Sequence, residues 1–146
     1  MTQRLDFYTA SPDAIKGLVA LEVAVSKLGL EPSLHELVRL RASQINGCAY
    51  CVDTHTSDAR KKGETERRLY AVSVWRETPF FTPRERAALA WTEALTLIAQ
   101  THAPDADYED LRANFNDAEQ VALTMAINLI NSWNRLGIAF RKMPAA

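Results

Sequence analysis

From Gln120 to Asn134 the chain carries no charged residue. Val121, Leu123, Met125, Ile127, Leu129, Ile130 and Trp133 would fall on nearly every side of a helix drawn through it. A helix that is apolar all round is normally buried all round. A membrane span would need about twenty such residues, and this stretch is shorter and broken by Asn128, Asn131 and Asn134, so no span is read here. A chain of 146 residues must therefore wrap this helix with the rest of itself or share the task with other copies. Because a small domain struggles to cover a helix completely, the segment predicts a homo-oligomer. The three asparagines, at i, i+3 and i+6, offer hydrogen bonds to another helix or subunit.

The remaining sequence supplies helices to do the wrapping. Ala and Leu contribute 22 and 16 residues against 14 for Val and Ile together, a balance that favours helix over strand. Ser11-Pro12-Asp13 opens a helix whose stripe of Ala14, Leu18, Leu21, Val25 and Leu28 ends at Gly29, with proline and an acid in its first turn. Another runs from Ser33 to Asn46-Gly47, and a third from Cys48 to Lys62, closed by Gly63. Thr65 caps a short helix reaching Trp75. Thr82-Pro83-Arg84-Glu85 combines a capping box with a first-turn proline, and Ala88, Trp91, Leu95 and Ile98 form the face that follows. Asp105 to Ala113 reads as a short helix, and Asn116 with Glu119 starts the last one, which reaches about Arg141. No repeat or linker divides the chain. The expectation is a single all-α domain over 1–146, with six or seven helices and no strand.

Seventeen basic residues against eighteen acidic ones leave a net charge of −1. That provides no overall basic field for nucleic acid or anionic lipid, and neither partner is expected. Met1 to Ala10 contains Arg4 and Asp6 and no apolar run, so nothing marks the chain for secretion and a cytoplasmic location is expected. Only two cysteines occur, Cys48 and Cys51. They are too few for a disulfide framework, and in a reducing compartment a C-x-x-C pair is more often redox-active or metal-binding than structural.

On a helix at 100° per residue, Cys48, Cys51 and His55 share one stripe. The partial positive charge at the helix start favours thiolate over thiol, and His55, one turn beyond Cys51, is placed to accept a proton. If the preceding helix reverses at Gly47, Glu36 comes to lie opposite His55. A carboxylate there would fix the imidazole tautomer and raise its basicity. Glu36 also stands three residues after Ser33, where it could serve simply as the second half of a capping box, and two buried cysteines at helical spacing could be inert small hydrophobes.

Arg41-Ala42-Ser43-Gln44-Ile45-Asn46-Gly47 followed by Cys48-Ala49-Tyr50-Cys51-Val52-Asp53-Thr54-His55, with Glu36 upstream, resembles the core motif of the alkylhydroperoxidase D-like proteins within the carboxymuconolactone decarboxylase family. The likeness at motif level covers about Ser33 to Gly63, and the stretch Asn131 to Arg135 is also similar. The resemblance implies an all-α fold, a trimer or hexamer, and thiol-dependent reduction of hydroperoxides. It implies that Cys51 attacks the peroxide, that Cys48 closes the disulfide, and that His55 and Glu36 relay the proton. It further implies no metal or haem, an organic hydroperoxide as substrate, and a dithiol or protein as reductant. Alkylhydroperoxidase D has a histidine immediately before the second cysteine, where this chain has Tyr50.

Three other readings compete. Two cysteines, a histidine and a glutamate make an acceptable zinc set, although ligands on one continuous helix approach a tetrahedron from poor directions. The decarboxylase branch of the family acts on a cyclic lactone acid and does not need a cysteine pair. A non-catalytic oligomeric scaffold would leave the cysteines idle. Elsewhere His35 is expected on the surface, His102 in a loop, and Trp75, Trp91 and Trp133 in the core or an interface. Arg39 and Arg41 are expected to be solvated or paired, and Arg60 to Arg68 to form a wet turn.

Overall fold

The computed structural model describes residues 1–145. All regular structure within them is helical: α1 (Phe7–Ala10), α2 (Pro12–Ser26), α3 (Pro32–Asn46), α4 (Ala49–Lys61), α5 (Glu66–Ala71) running into a 3-10 turn (Val72–Glu77), α6 (Pro83–Thr96), α7 (Ile98–Thr101), α8 (Asp105–Asn114) and α9 (Asp117–Phe140). The expected all-α class is observed, with more pieces than six or seven. The additions are short. Asp6 caps α1 by accepting from the Tyr8 N–H, and Ile98–Thr101 forms a separate turn after Leu97. The helix expected from Thr65 to Trp75 changes to 3-10 winding at Val72 and kinks at Val74.

Capping chemistry explains most boundaries. Thr82 with Glu85 and Asn116 with Glu119 both form complete capping boxes, so each satisfies two end groups of its helix. Gly47 adopts the left-handed conformation at the end of α3 (φ 73°) and reverses the chain into α4. One start differs from expectation: α3 begins at Pro32 with Glu31 as its cap residue. Proline at the first position presets the helical φ, which moves Glu36 two positions beyond a capping-box site. Glu36 is thereby left for other partners.

α3 is the hub, packing against α4, α6 and α9. Leu34, Val38, Ala88, Trp91, Leu111, Phe115, Leu123 and Ile127 build one core region. Leu37, Leu40, Ala59, Leu69, Val72, Trp75, Phe81 and Leu89 build a second. Each fully buried leucine contributes roughly 1.5–3 kcal/mol relative to exposure. α9 makes its contacts with α2, α3, α4, α6 and α8, so the charge-free helix is largely covered within one chain. That removes the reason given above for requiring other subunits. Apolar side chains left uncovered include Val19 and Val23 on α2, both nearly half exposed, and Val121 near the start of α9.

The asparagine row divides. Asn128 is exposed, while Asn131 and Asn134 both accept from the Asn46 amide, at 3.0 and 2.8 Å. Asn134 also donates to Ser43 Oγ at 3.0 Å, and Asn131 to Thr96 Oγ1 at 3.2 Å. These bonds tie α9 to the end of α3 just before the cysteine turn. Among the described residues no helix is long and apolar enough to cross a membrane.

His35 is half-buried, not freely exposed. Its Nε2 is buried without a hydrogen-bond partner, and burial, with the Arg39 charge, holds its pKa down at about 4. The unfolded chain therefore binds a proton at pH 5 that the folded one refuses. Stability is full above about pH 6.5 and declines as pH falls toward 4, by about 3 kcal/mol in all. His35→Leu should remove this loss: urea midpoints at pH 7 and pH 4.5 will differ less in the variant than in the wild type. Arg68 departs from the wet-turn expectation too. It is half-buried, paired with Glu64 and Glu85, and lies over the Phe81 ring.

Candidate active site

The site forms where α3, α4 and α9 meet. Cys48 is the cap residue of α4, its sulfur accepting from the Cys51 N–H at 3.3 Å. Cys51 lies at the third position of the same helix. The two sulfurs are joined as a disulfide, with Cα atoms 5.3 Å apart, and both residues are buried, at 2% and 4% exposure. A sulfur that accepts a backbone N–H at a helix start is a better thiolate than a free one. The cap bond places that help on Cys48.

His55 follows Cys51 by one turn, and the α3–α4 reversal brings Glu36 to it: Nδ1 lies 2.9 Å from Glu36 Oε2. Glu36 is 1% exposed. Its other oxygen, Oε1, accepts from Lys62 Nζ at 2.5 Å, with Arg39 Nη1 3.9 Å away. Burial pushes the Glu36 carboxyl up, but the His55 and Lys62 hydrogen bonds and the Arg39 charge outweigh it and bring the pKa to about 2. A carboxylate ionised at all ordinary pH holds the proton of His55 on Nδ1, leaving Nε2 as the basic nitrogen.

Cys51 and His55 share a cavity of about 260 Å³ with Phe7, Tyr8, Tyr50 and Trp133. Arg39 is bonded to Glu22, whose second oxygen accepts from Trp133 Nε1 at 2.9 Å. Lys142 Nζ sits 4.3 Å from the Tyr8 ring centre and 4.7 Å from that of Tyr50. Tyr50 is thus a wall of the cavity and a cation–π partner where alkylhydroperoxidase D has its histidine.

Glu36, Cys48, Cys51 and His55 are all brought to one place. Lys62, Gly137 and Lys142 were missed. Lys62 stands seven residues after His55, on the same helix face, so its spacing carried a signal. Gly137 carried another, since glycine inside a helix is disfavoured by about 1 kcal/mol against alanine. The structure supplies the reason: a Cβ there would lie 3.1 Å from Cys48 Sγ and 3.7 Å from Cys51 Sγ. Gly137→Ala must push the pair aside by a few tenths of an ångström. We expect about a tenfold slower reduction of the disulfide by dithiothreitol, a fraction of what a full ångström of misplacement can cost, with an unchanged helical circular-dichroism signal.

A zinc set of both cysteines, His55 and Glu36 is not what the geometry offers. The sulfurs are bonded to each other, and the clustered ligand atoms are those of Glu36, His55 and Asp58. Both Glu36 oxygens are occupied, one by an ammonium whose charge opposes a cation.

A paired cysteine at a helix start, backed by a histidine–carboxylate couple in an all-helical domain, defines a thiol–disulfide type of site. The model of the carboxymuconolactone decarboxylase family matches residues 12–94, and the chain belongs to that family. It is 41% identical to the uncharacterized protein YdfG of Bacillus subtilis strain 168, over all of this chain and 99% of that one. Among solved structures it is similar, at 47% identity and a TM-score of 0.97 over 99% of both chains, to an Agrobacterium tumefaciens protein of unknown function suggested to be an AhpD antioxidant-defence protein. The debrominase Bmp8 shares the fold, with a TM-score of 0.82 and 18% identity over 94% of this chain and 74% of that one. Membership of this family and the likeness to the Agrobacterium protein suggest an enzyme.

Proposed function

We propose that the protein is a thiol-dependent peroxidase that reduces small organic hydroperoxides, cycling Cys48 and Cys51 between dithiol and disulfide. The observation that carries this reading is that Cys51 opens into the same cavity as His55, whose Nδ1 is held by the ionised Glu36 so that Nε2 is left as the base. With the pair reduced, His55 takes the Cys51 proton. The thiolate attacks the terminal peroxide oxygen, the O–O bond breaks, and the alcohol leaves with a proton from His55. Cys51 becomes a sulfenic acid. Cys48, favoured as a thiolate by the Cys51 N–H, then attacks the Cys51 sulfur and releases water. Two electrons pass from the pair to the peroxide, and an external dithiol or protein thiol restores it.

The cavity is smaller than the roughly 300 Å³ at which ordinary ligand pockets begin, and Phe7, Tyr8, Tyr50 and Trp133 share its walls with charged side chains such as Arg39 and Asp58. That favours compact hydroperoxides over long-chain ones. The assay is peroxide consumption by wild-type protein with a dithiol donor: a saturable rate with cumene hydroperoxide supports the reading, and no rate above the donor alone with any hydroperoxide contradicts it.

The reading includes a homo-oligomer, a trimer or hexamer, assembled through the apolar face of α2. Light scattering at micromolar concentration should give a multiple of the single-chain mass, and Val19→Glu with Val23→Glu should reduce it. A wild-type monomer would remove this part of the proposal.

A further inference from the structure

The two sulfurs are served from different sides. Cys51 lines the aromatic cavity and Cys48 does not. Cys48 lines a second cleft, of about 490 Å³, which shares Gly137 and Lys142 with the first, and Cys51 does not line that one. The second cleft is large enough for an ordinary small molecule. Its charged lining residues are Arg4, Arg141 and Lys142, with no aspartate or glutamate among them. None of the three makes an ion pair among the described residues. Arg4 is held in place by its bonds to the carbonyls of Ala139 and Phe140 at the end of α9, and Ile138 and Met143 supply an apolar floor.

We propose that this cleft is the reductant site, that the reductant is a small thiol bearing a carboxylate, and that it attacks Cys48. This rests on the redox cycle proposed above and assigns its second half. The thiolate of the reductant bonds to Cys48 sulfur as the Cys48–Cys51 bond breaks, and Cys51 leaves as a thiolate on the side where His55 can protonate it. A second thiol then attacks the reductant sulfur of the mixed disulfide. Cys48 departs as the thiolate that the Cys51 N–H stabilises, and the two reductant thiols end as a disulfide. Attack and departure through a mixed disulfide follow ordinary exchange chemistry. The unpaired basic groups supply steering that neither a neutral nor a cationic thiol would receive.

The test needs no peroxide. Oxidised wild-type protein is reduced by 3-mercaptopropionate, 2-mercaptoethanol and cysteamine, three thiols of similar size and different charge, with rates referred to thiolate concentration. The anionic thiol should be fastest and exceed the cationic one by about tenfold or more at low salt, with the advantage shrinking as ionic strength rises. Arg4→Gln with Arg141→Asn should bring that ratio, taken between thiols on the same variant, down toward one. Rapid alkylation of the wild-type reaction, followed by peptide mapping, should find the thiol on Cys48 and the alkyl group on Cys51. Equal rates for the three thiols, or the reverse map, would overturn the assignment. A pair that shows this preference yet consumes no hydroperoxide would remove the peroxidase reading and keep the cleft; a peroxidase without the preference would do the opposite.

Discussion

Cys51→Ser should reduce hydroperoxide turnover to the uncatalysed background, while Cys48→Ser should complete one turnover and stop. The difference follows from position. Cys51 alone of the pair lines the cavity that holds His55, so a serine there leaves no sulfur within reach of the peroxide and its base. A serine at 48 preserves the attacking group and removes only the partner that closes the disulfide, so sulfenic acid should accumulate on Cys51 and progress to higher oxidation states with excess peroxide. Neither replacement alters the packing of α3 against α4 by more than one buried atom, and both variants should keep the wild-type helical signal. Stopped-flow consumption of cumene hydroperoxide by pre-reduced protein reads both outcomes. Turnover that persists in Cys51→Ser would reverse the assigned roles.

The next largest effect belongs to the proton relay. His55→Ala should lower the rate of the peroxide step about 100-fold at pH 7, the lower end of what a positioned acid–base group contributes. The loss should shrink as pH rises toward the free thiol pKa near 8.5, because hydroxide then does what the imidazole did. Glu36→Gln retains the shape of the side chain but turns an ionised acceptor into a neutral amide, so His55 becomes a weaker base and Lys62 and Arg39 lose their shared partner. Its rate should fall less than that of His55→Ala, and its rate–pH curve should move to higher pH, because a weaker base leaves more of Cys51 as the unreactive thiol until hydroxide takes its proton. Because the Glu36 carboxyl is held at about 2, it stays ionised through any pH at which the folded protein can be assayed. The wild-type profile should show no step from it. A structural role alone would lower Glu36→Gln activity without displacing the curve.

Much of this arrangement was legible in the chain because it depends on local rules. The capping boxes at Thr82 and Asn116 follow from side chains three residues apart, and the Glu36–His55 contact follows from one glycine reversal between two helices of known rise. What escaped depended on which helix packs against which. Gly137 has meaning only beside the cysteine sulfurs, and they come to it from α4, more than eighty positions earlier. Ser33 matches the rule for an N-cap better than Glu31 does, yet Pro32 between them fixes the first helical residue. His35 was expected to be exposed because a lone histidine without a spaced partner usually is. Its partial burial depends on how α3 is packed among other helices, which its own sequence neighbours do not reveal. Most of the charge-free segment is buried, but its cover comes largely from the chain's own helices, while Val121 within it stays exposed, as do Val19 and Val23 on α2.

The central claim is that Cys48 and Cys51 together deliver two electrons to a hydroperoxide. Intact-mass measurement of reduced wild-type protein after one equivalent of cumene hydroperoxide tests it most directly. The account predicts a loss of two hydrogens with one equivalent of alcohol formed, and in Cys48→Ser a gain of one oxygen in place of that loss. Unchanged mass with the peroxide intact would contradict it.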